Sequence, residues 1–176
     1  MMDIRQYQES DWPDLWPIIE KVFRAGETYA YAPEITERQA HDVWIAAPKK
    51  TYVAVGEDGR IVGTYYIKAN QPGLGAHVCN CGYIVAQKGR GKGVATRMCE
   101  HSQQVALTLG FRAMQYNLVV ATNEGAIRLW KKLGFQIVGI LPHAYNSRIR
   151  GYVDALVMYK ELILPDVQAN QHGWTR

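Results

Sequence analysis

The densest chemistry in this 176-residue chain is a run of alternating glycines and cations, Lys88-Gly89-Arg90-Gly91-Lys92-Gly93. It follows Tyr83-Ile84-Val85-Ala86 and precedes Val94 and Ala95, so a strand would feed a glycine-punctuated turn that opens a helix. Glycines let the backbone approach a ligand closely, and the first N–H groups of a helix have no partner within it. With the positive end of the helix dipole, those groups make a site for a pyrophosphate. Lys88, Arg90 and Lys92 add formal charge beside it. The spacing matches neither G-x-x-x-x-G-K-[ST] nor G-x-G-x-x-G, which sets aside those two phosphate loops. The competing reading is a basic turn that starts a helix and binds nothing.

A second constellation fails as a site. His77, Cys79 and Cys81 alternate along one strand and would share a face. No fourth ligand has finger-like spacing, and same-face neighbours of one strand cannot wrap a tetrahedral ion, so no metal is expected. The three cysteines (Cys79, Cys81, Cys99) are too few for a disulfide framework and fit a reducing compartment, with cytoplasm the expectation. No apolar run approaches the ~18 residues of a membrane span. Met1-Met2-Asp3-Ile4-Arg5 lacks the apolar core of a secretory signal, and no membrane partner is expected. Lys plus Arg total 20 against 16 acidic residues, a net +4 too mild and too dispersed for a nucleic-acid surface.

The elements that must position the glycine turn follow from periodicity. Asp3–Gln8 reads as a strand, and Ser10 or Asp11 can cap a helix carrying Leu15, Ile18, Ile19, Val22 and Phe23 on one face. Thr36–Ala46 reads as a second helix, ended by Pro48. Thr51–Val55 and Ile61–Lys68 flank Glu57-Asp58-Gly59-Arg60 as a hairpin, and His77–Ala86 is a further strand. Gly91–Leu109 reads as a helix, Arg112–Val120 as a strand, and Asn123–Leu133 as a short helix stopped by Gly134. Phe135–Leu141 and Val153–Tyr159 complete the set. The order β-α-α-β-β-β-α-β-α-β-β predicts an α/β (α+β) domain over residues 1–165. Its mixed central sheet has about seven strands, with helices on both faces. A polar tail, 166–176, is expected to be mobile.

Arg90-x-x-Gly93-x-Ala95 resembles the [Q/R]-x-x-G-x-[G/A] signature of the GNAT superfamily of N-acetyltransferases, placed between a strand and a helix as in that family. Asn123-x-x-Ala126-x-x-Leu129-Trp130-x-x-x-Gly134-Phe135 resembles a second family segment, and together the two cover roughly residues 50 to 160. The resemblance implies the GNAT fold and acetyl-CoA as acetyl donor. It implies that Arg90, Gly91, Lys92, Gly93, Val94, Ala95 and Thr96 hold the cofactor's pyrophosphate, and that Ile84 and Val85 pair with its pantetheine through their backbone. Asn123, Ala126 and Trp130 complete the implied cofactor site. Asn123 is also a good N-cap, and Ala126, Leu129, Trp130 and Leu133 form an apolar helical face, so most of this segment is architecture. Trp130 departs from the family, which often has Tyr there as the acid for the departing thiolate. An indole N–H donates a hydrogen bond but transfers no proton near neutral pH. A thiol of pKa ~8.5 leaving as thiolate at pH 7 is uphill by only about 2 kcal/mol, so the reaction survives the change.

Several short segments, among them Gly63-Thr64-Tyr65-Tyr66-Ile67-Lys68, Cys79-Asn80-x-Gly82, Tyr116-Asn117-Leu118-Val119 and Leu141-Pro142-His143-Ala144, are similar to the fungal N-acetyltransferases that detoxify azetidine-2-carboxylate. That likeness implies a small amine acceptor, an amino acid or proline analogue, attacked directly in a ternary complex. It makes Asn80 and Asn117 the residues that orient the acceptor, although asparagine in a strand is more often a bulge or edge residue. Tyr29 and Tyr145 are candidates for the acceptor pocket with Glu27 and Tyr31. His143, in a loop after the sixth strand, is the candidate base. Alternatives are acetylation of a protein N-terminus or lysine, or a sensor that binds acyl-CoA without turnover. The family often pairs, so a homodimer is also in view.

Overall fold

The computed structural model of the chain describes residues 2–162. The expected tail, 166–176, lies outside them. The element order is the one periodicity predicts: β1 (Asp3–Gln6), α1 (Trp12–Ala25), α2 (Glu37–His41), β2 (Lys50–Val55), β3 (Ile61–Ala69), β4 (Val78–Val85), α3 (Val94–Thr108), β5 (Ala113–Val120), α4 (Glu124–Lys132), β6 (Gln136–Ser147) and β7 (Gly151–Glu161). The strands form one mixed seven-stranded sheet in the order β1-β2-β3-β4-β5-β7-β6. Every pair is antiparallel except β4 with β5, which the α3 crossover makes parallel.

Alternation along the strands builds a core on each face. Tyr52, Tyr65, Cys79, Cys81 and Met114 pack under α3 and α4 with Met98, Cys99 and Trp130. Val53, Tyr66 and Ile84 pack under α1 with Leu15, Ile19, Phe23 and Trp44. The metal-like trio of the sequence thus includes two fully sequestered thiols, Cys79 and Cys81. Thr64 would be a costly buried hydroxyl without partners. It accepts from the Trp44 indole at 3.1 Å and donates to the Tyr52 carbonyl at 2.8 Å.

Several details differ from the periodic reading, and four have a clear local reason. Asp11 stands at the N-cap position of α1, but its side chain makes no cap bond. Its carboxylate takes two bonds from Arg5 (2.8 and 2.7 Å) and one from the Gln8 N–H. The segment after Thr36 is α-helical only to His41 and then widens into a π turn over Asp42–Ala46, where Trp44 is fully buried. Gly91 and Gly93 adopt left-handed backbone, φ 74° each, so α3 begins at Val94 rather than Gly91. Finally β6 extends to Ser147, well past Leu141. A bulge between Leu141 and Tyr145 carries Pro142, which has no N–H for the ladder, and His143 at φ 52°. His143 and Tyr145 therefore stand in a strand and not in a loop.

Candidate active site

The sheet comes apart where parallel pairing would be expected to continue. Strands β4 and β5 pair at Val78 with Ala113 and at Cys79 with Met114, and no backbone pair joins them from Asn80 onward. The side chain of Asn80 closes the vertex: its Nδ2 donates to the Gln115 carbonyl at 3.0 Å, and its Oδ1 accepts from the Tyr66 hydroxyl at 3.1 Å. A side-chain amide here takes the place of the next ladder bond. Beyond it, Asn117 Nδ2 donates to Asn70 Oδ1 at 2.7 Å, and Gln115 Nε2 donates to Asn117 Oδ1 at 2.9 Å. Asn80 and Asn117 thus belong to one amide cluster at the closed end of the gap. Gln115, Tyr66 and Asn70 belong to it too, and no spacing rule singles them out.

The wide end of the gap is bridged from the α1–α2 connection. The Tyr29 hydroxyl donates to the Tyr83 carbonyl of β4 at 2.8 Å, and the Tyr29 carbonyl accepts from the Tyr145 hydroxyl at 3.1 Å. Ser147 donates to the Glu27 carboxylate at 3.0 Å, and Arg148 reaches the Arg24 carbonyl at 2.8 Å. The end of the β6–β7 hairpin is thereby tied to the start of that connection. Tyr29 and Tyr31 stack at 6.2 Å, and Phe23 and Trp44 pack against Tyr29 from beneath. The structure brings Tyr29, Tyr145 and Glu27 together as proposed from sequence. It does not bring His143 to them. The imidazole is 77% exposed, and its partner is Asp154, whose Oδ1 accepts from the His143 N–H at 2.9 Å and lies 4.0 Å from Nδ1.

On the opposite face the gap is floored by aromatic rings. Trp130 lies 5.1 Å from Tyr83 and 5.2 Å from Tyr116, and is 8% exposed. Tyr116 donates to the Tyr83 hydroxyl at 3.1 Å, which pairs with Ser102 at 2.7 Å. Burial pushes the Tyr29, Tyr83 and Tyr116 phenols well above the usual tyrosine range. Burial also raises Tyr145, with the Glu27 charge adding to it. Every phenol around the gap is therefore a neutral donor at physiological pH, and none is a base.

The glycine turn stands at the end of β4. Helix α3 has no side-chain cap and no acidic residue in its first turn. In contrast, Thr36 and Gln39 form a capping box on α2, and Asn123 Oδ1 accepts from the Ala126 N–H on α4 at 3.3 Å. The first-turn amides of Val94, Ala95 and Thr96 are thus left without helical or side-chain partners, next to exposed Arg90 and Lys92. Among the described residues neither cation is ion-paired. Gly89 is needed for a different reason. A Cβ there would lie 2.9 Å from the Val62 carbonyl oxygen, so the turn can fold tightly on β3 only without one.

A sheet split between its central parallel strands, with an uncapped cationic helix N-terminus at the open end, offers an extended slot that ends in groups suited to a phosphate. A model of the acetyltransferase (GNAT) family matches residues 3–135. The chain belongs to that family and is an acetyl-CoA-dependent N-acetyltransferase in class. It is 31% identical over 148 residues to the N-acetyltransferase aca1 of Schizosaccharomyces pombe, over 75% of this chain and 71% of that one. A GCN5-related N-acetyltransferase from Kribbella flavida superposes with a TM-score of 0.86 at 40% identity, covering 91% of this chain and 97% of the other. A phosphinothricin acetyltransferase from Sinorhizobium meliloti, solved in complex with acetyl-CoA, superposes with a TM-score of 0.80 over 91% and 88% of the two chains. At 18% identity that likeness speaks for the fold. The likeness to aca1 agrees with the fungal resemblance of the short segments.

Gly82 tests how the vertex is built. A Cβ at this position would sit 2.5 Å from the Tyr66 ring, so the ring lies over β4 only because residue 82 has no side chain. Gly82→Ala should displace Tyr66, release its bond to Asn80 and cost about 1–3 kcal/mol of stability as overpacking does. Urea denaturation followed by tryptophan fluorescence checks this, and unchanged stability would mean that the ring moves freely.

Proposed function

We propose that the chain transfers the acetyl group of acetyl-CoA to the amine of a small molecule, an amino acid or proline analogue among them, by direct attack in a ternary complex. The observation that carries this reading is the split between β4 and β5, which connects the uncapped end of α3 to the cleft formed by Asn80, Asn117, Tyr29 and Tyr145. The backbone amides of Gly91, Gly93, Val94, Ala95 and Thr96, with Arg90 and Lys92, would hold the pyrophosphate. Ile84 is buried beneath α1, so its backbone and that of Val85 are what the unpaired edge of β4 offers to the pantetheine amides. Asn123, Ala126 and Trp130 would flank the thioester end. When bound, acetyl-CoA supplies an activated acetyl group, and the protein's part is to place an amine against it.

Two features favour a small acceptor over a protein segment. The Tyr29–Tyr145 and Glu27–Ser147 bonds tie the α1–α2 connection to the β6–β7 hairpin, which favours an enclosed acceptor over a long one. The residues at the vertex are amides, suited to orienting a compact polar molecule by hydrogen bonds. The three free buried cysteines support a reducing compartment such as the cytoplasm. A homodimer fits the free edge of β6. From Gln136 to Ser147 that strand has no Asp, Glu, Lys or Arg, and Val138 and Ile140 are 58% and 61% exposed. An uncharged edge pairs with its own copy in antiparallel register about a two-fold axis without repulsion. Sedimentation should give a dimer that Ile140→Lys converts to a monomer. A wild-type monomer would remove this part of the reading.

Release of CoA from acetyl-CoA, followed with an amine panel containing azetidine-2-carboxylate and 4-hydroxyproline, tests the function. Saturable release with one acceptor is expected, and Gly93→Glu should abolish it by placing a carboxylate where the pyrophosphate would lie. Binding of acetyl-CoA with no release to any amine would favour a sensor. The pH profile of the same assay reads the proton step. With every site phenol held neutral and no base assigned among the site residues, the acceptor is expected to deprotonate to solvent or through water. The value of kcat/KM should then rise about tenfold per pH unit below the acceptor's own amine pKa and level off above it. A plateau already reached near pH 7 would reveal a base in the protein.

A further inference from the structure

Lys68 occupies a position that sheet formation does not explain. It lies opposite Asn80 in the β3–β4 register, and antiparallel partners present their side chains on the same face. Its Nζ is 5.4 Å from the centroid of the Tyr66 ring, whose hydroxyl donates to Asn80. Two residues further on, Asn70 accepts from Asn117. The ammonium therefore stands at the closed end of the cleft, beside the amide cluster that closes it.

The charge has no partner there. Lys68 is half-buried, and among the described residues no carboxylate comes within ion-pairing distance of it. The Tyr66 face gives partial compensation, since a ring attracts a cation less strongly than a carboxylate does when water is displaced. Other groups at this end of the cleft are neutral. Asn80 and Asn117 each have both amide ends engaged with protein partners, so each is held in a fixed orientation and neither neutralises a charge. One point charge beside amides held in fixed orientation suits a single carboxylate.

We infer that Lys68 binds the carboxylate of the acceptor, so that the site selects amines bearing a carboxylate over the same amines lacking one. This rests on the reading of the Asn80–Asn117–Tyr29 cleft as the acceptor site and adds the group that sets its substrate class. Lys68 is a specificity residue. It holds the end of the acceptor remote from the amine and takes no part in proton transfer.

The test compares azetidine-2-carboxylate with azetidine-2-carboxamide as acceptors for the wild type, Lys68→Gln and Lys68→Arg. The wild type should prefer the carboxylate. Lys68→Gln should raise KM for the carboxylate by about tenfold or more, the range expected for a hydrogen bond to a charged group, and leave kcat within about twofold. Its KM for the carboxamide should not change, and Lys68→Arg should recover most of the loss. Added salt should weaken the carboxylate in the wild type and have no such effect in Lys68→Gln. Equal use of the two acceptors by the wild type, or equal losses on both in Lys68→Gln, overturns the inference and leaves the acceptor cleft standing. If only amines without a carboxylate are acetylated, the inference falls and acetyl transfer stands. If no amine is acetylated, both fall.

Discussion

The separation of β4 from β5 after Cys79 and Met114 is the constraint on which the rest of the molecule depends. Two parallel strands at the centre of a sheet would ordinarily stay paired, because unpaired backbone groups in a protein interior are costly. Here the cost is met piece by piece by side chains. Asn80 supplies the bond that the ladder lacks at the vertex, Tyr29 satisfies a carbonyl of β4 at the wide end, and the tilted and edge-to-face rings of Tyr83, Tyr116 and Trp130 fill the space beneath. The gap is thus a built feature with a floor, a closed end and a guarded mouth. The turn at Gly91–Gly93 and the uncapped start of α3 lie where β4 delivers the chain, so the strand that forms one wall of the gap also leads to the free amides of that helix start.

Much of this was legible in the sequence, and the pattern of what was not is physical. The glycine turn is local: strand, glycines, cations and helix lie within about a dozen residues, and the chemistry that selects them acts over the same distance. The order of elements was legible because both cores draw on strict alternation in the strands and on helical spacing in α1 and α3. The start of α3 was misplaced by three residues, since the apolar pattern does not distinguish a glycine inside a first turn from one that must be left-handed. The end of β6 was missed because Pro142 and His143 read as a loop, and only the bulge facing β7 allows the strand to pass through them. Asn80 and Asn117 could be named from sequence, but Gln115, Asn70 and Tyr66 could not. Their part comes from a cross-sheet network that joins β3, β4 and β5.

Electrostatics divides the site in two. At the start of α3 the protein presents free amides beside Arg90 and Lys92, which have no ion pair among the described residues, and no acidic residue stands in the first turn to compete. Inside the gap it offers neutral hydroxyls and amides, with phenols driven by burial to hold their protons, and the Lys68 ammonium stands at the closed end. Such an interior favours a neutral attacking amine over its ammonium form, because desolvation disfavours charge. The replacement of the family's common tyrosine by Trp130 fits this interior. The indole fills the floor against Tyr83 and Tyr116 and adds no titratable group to it.

The tie between the α1–α2 connection and the β6–β7 hairpin joins parts of the chain more than a hundred residues apart, through Tyr145 to Tyr29, Ser147 to Glu27 and Arg148 to Arg24. In a lineage drifting toward a new acceptor, a change in one of these segments would therefore leave a half-buried carboxylate or carbonyl without its donor in the other. The two segments should be inherited as a pair, with a recombination breakpoint anywhere between them disfavoured unless both are exchanged together. The conserved unit of acceptor choice would then be a contact between the two ends of the sequence and not a contiguous motif.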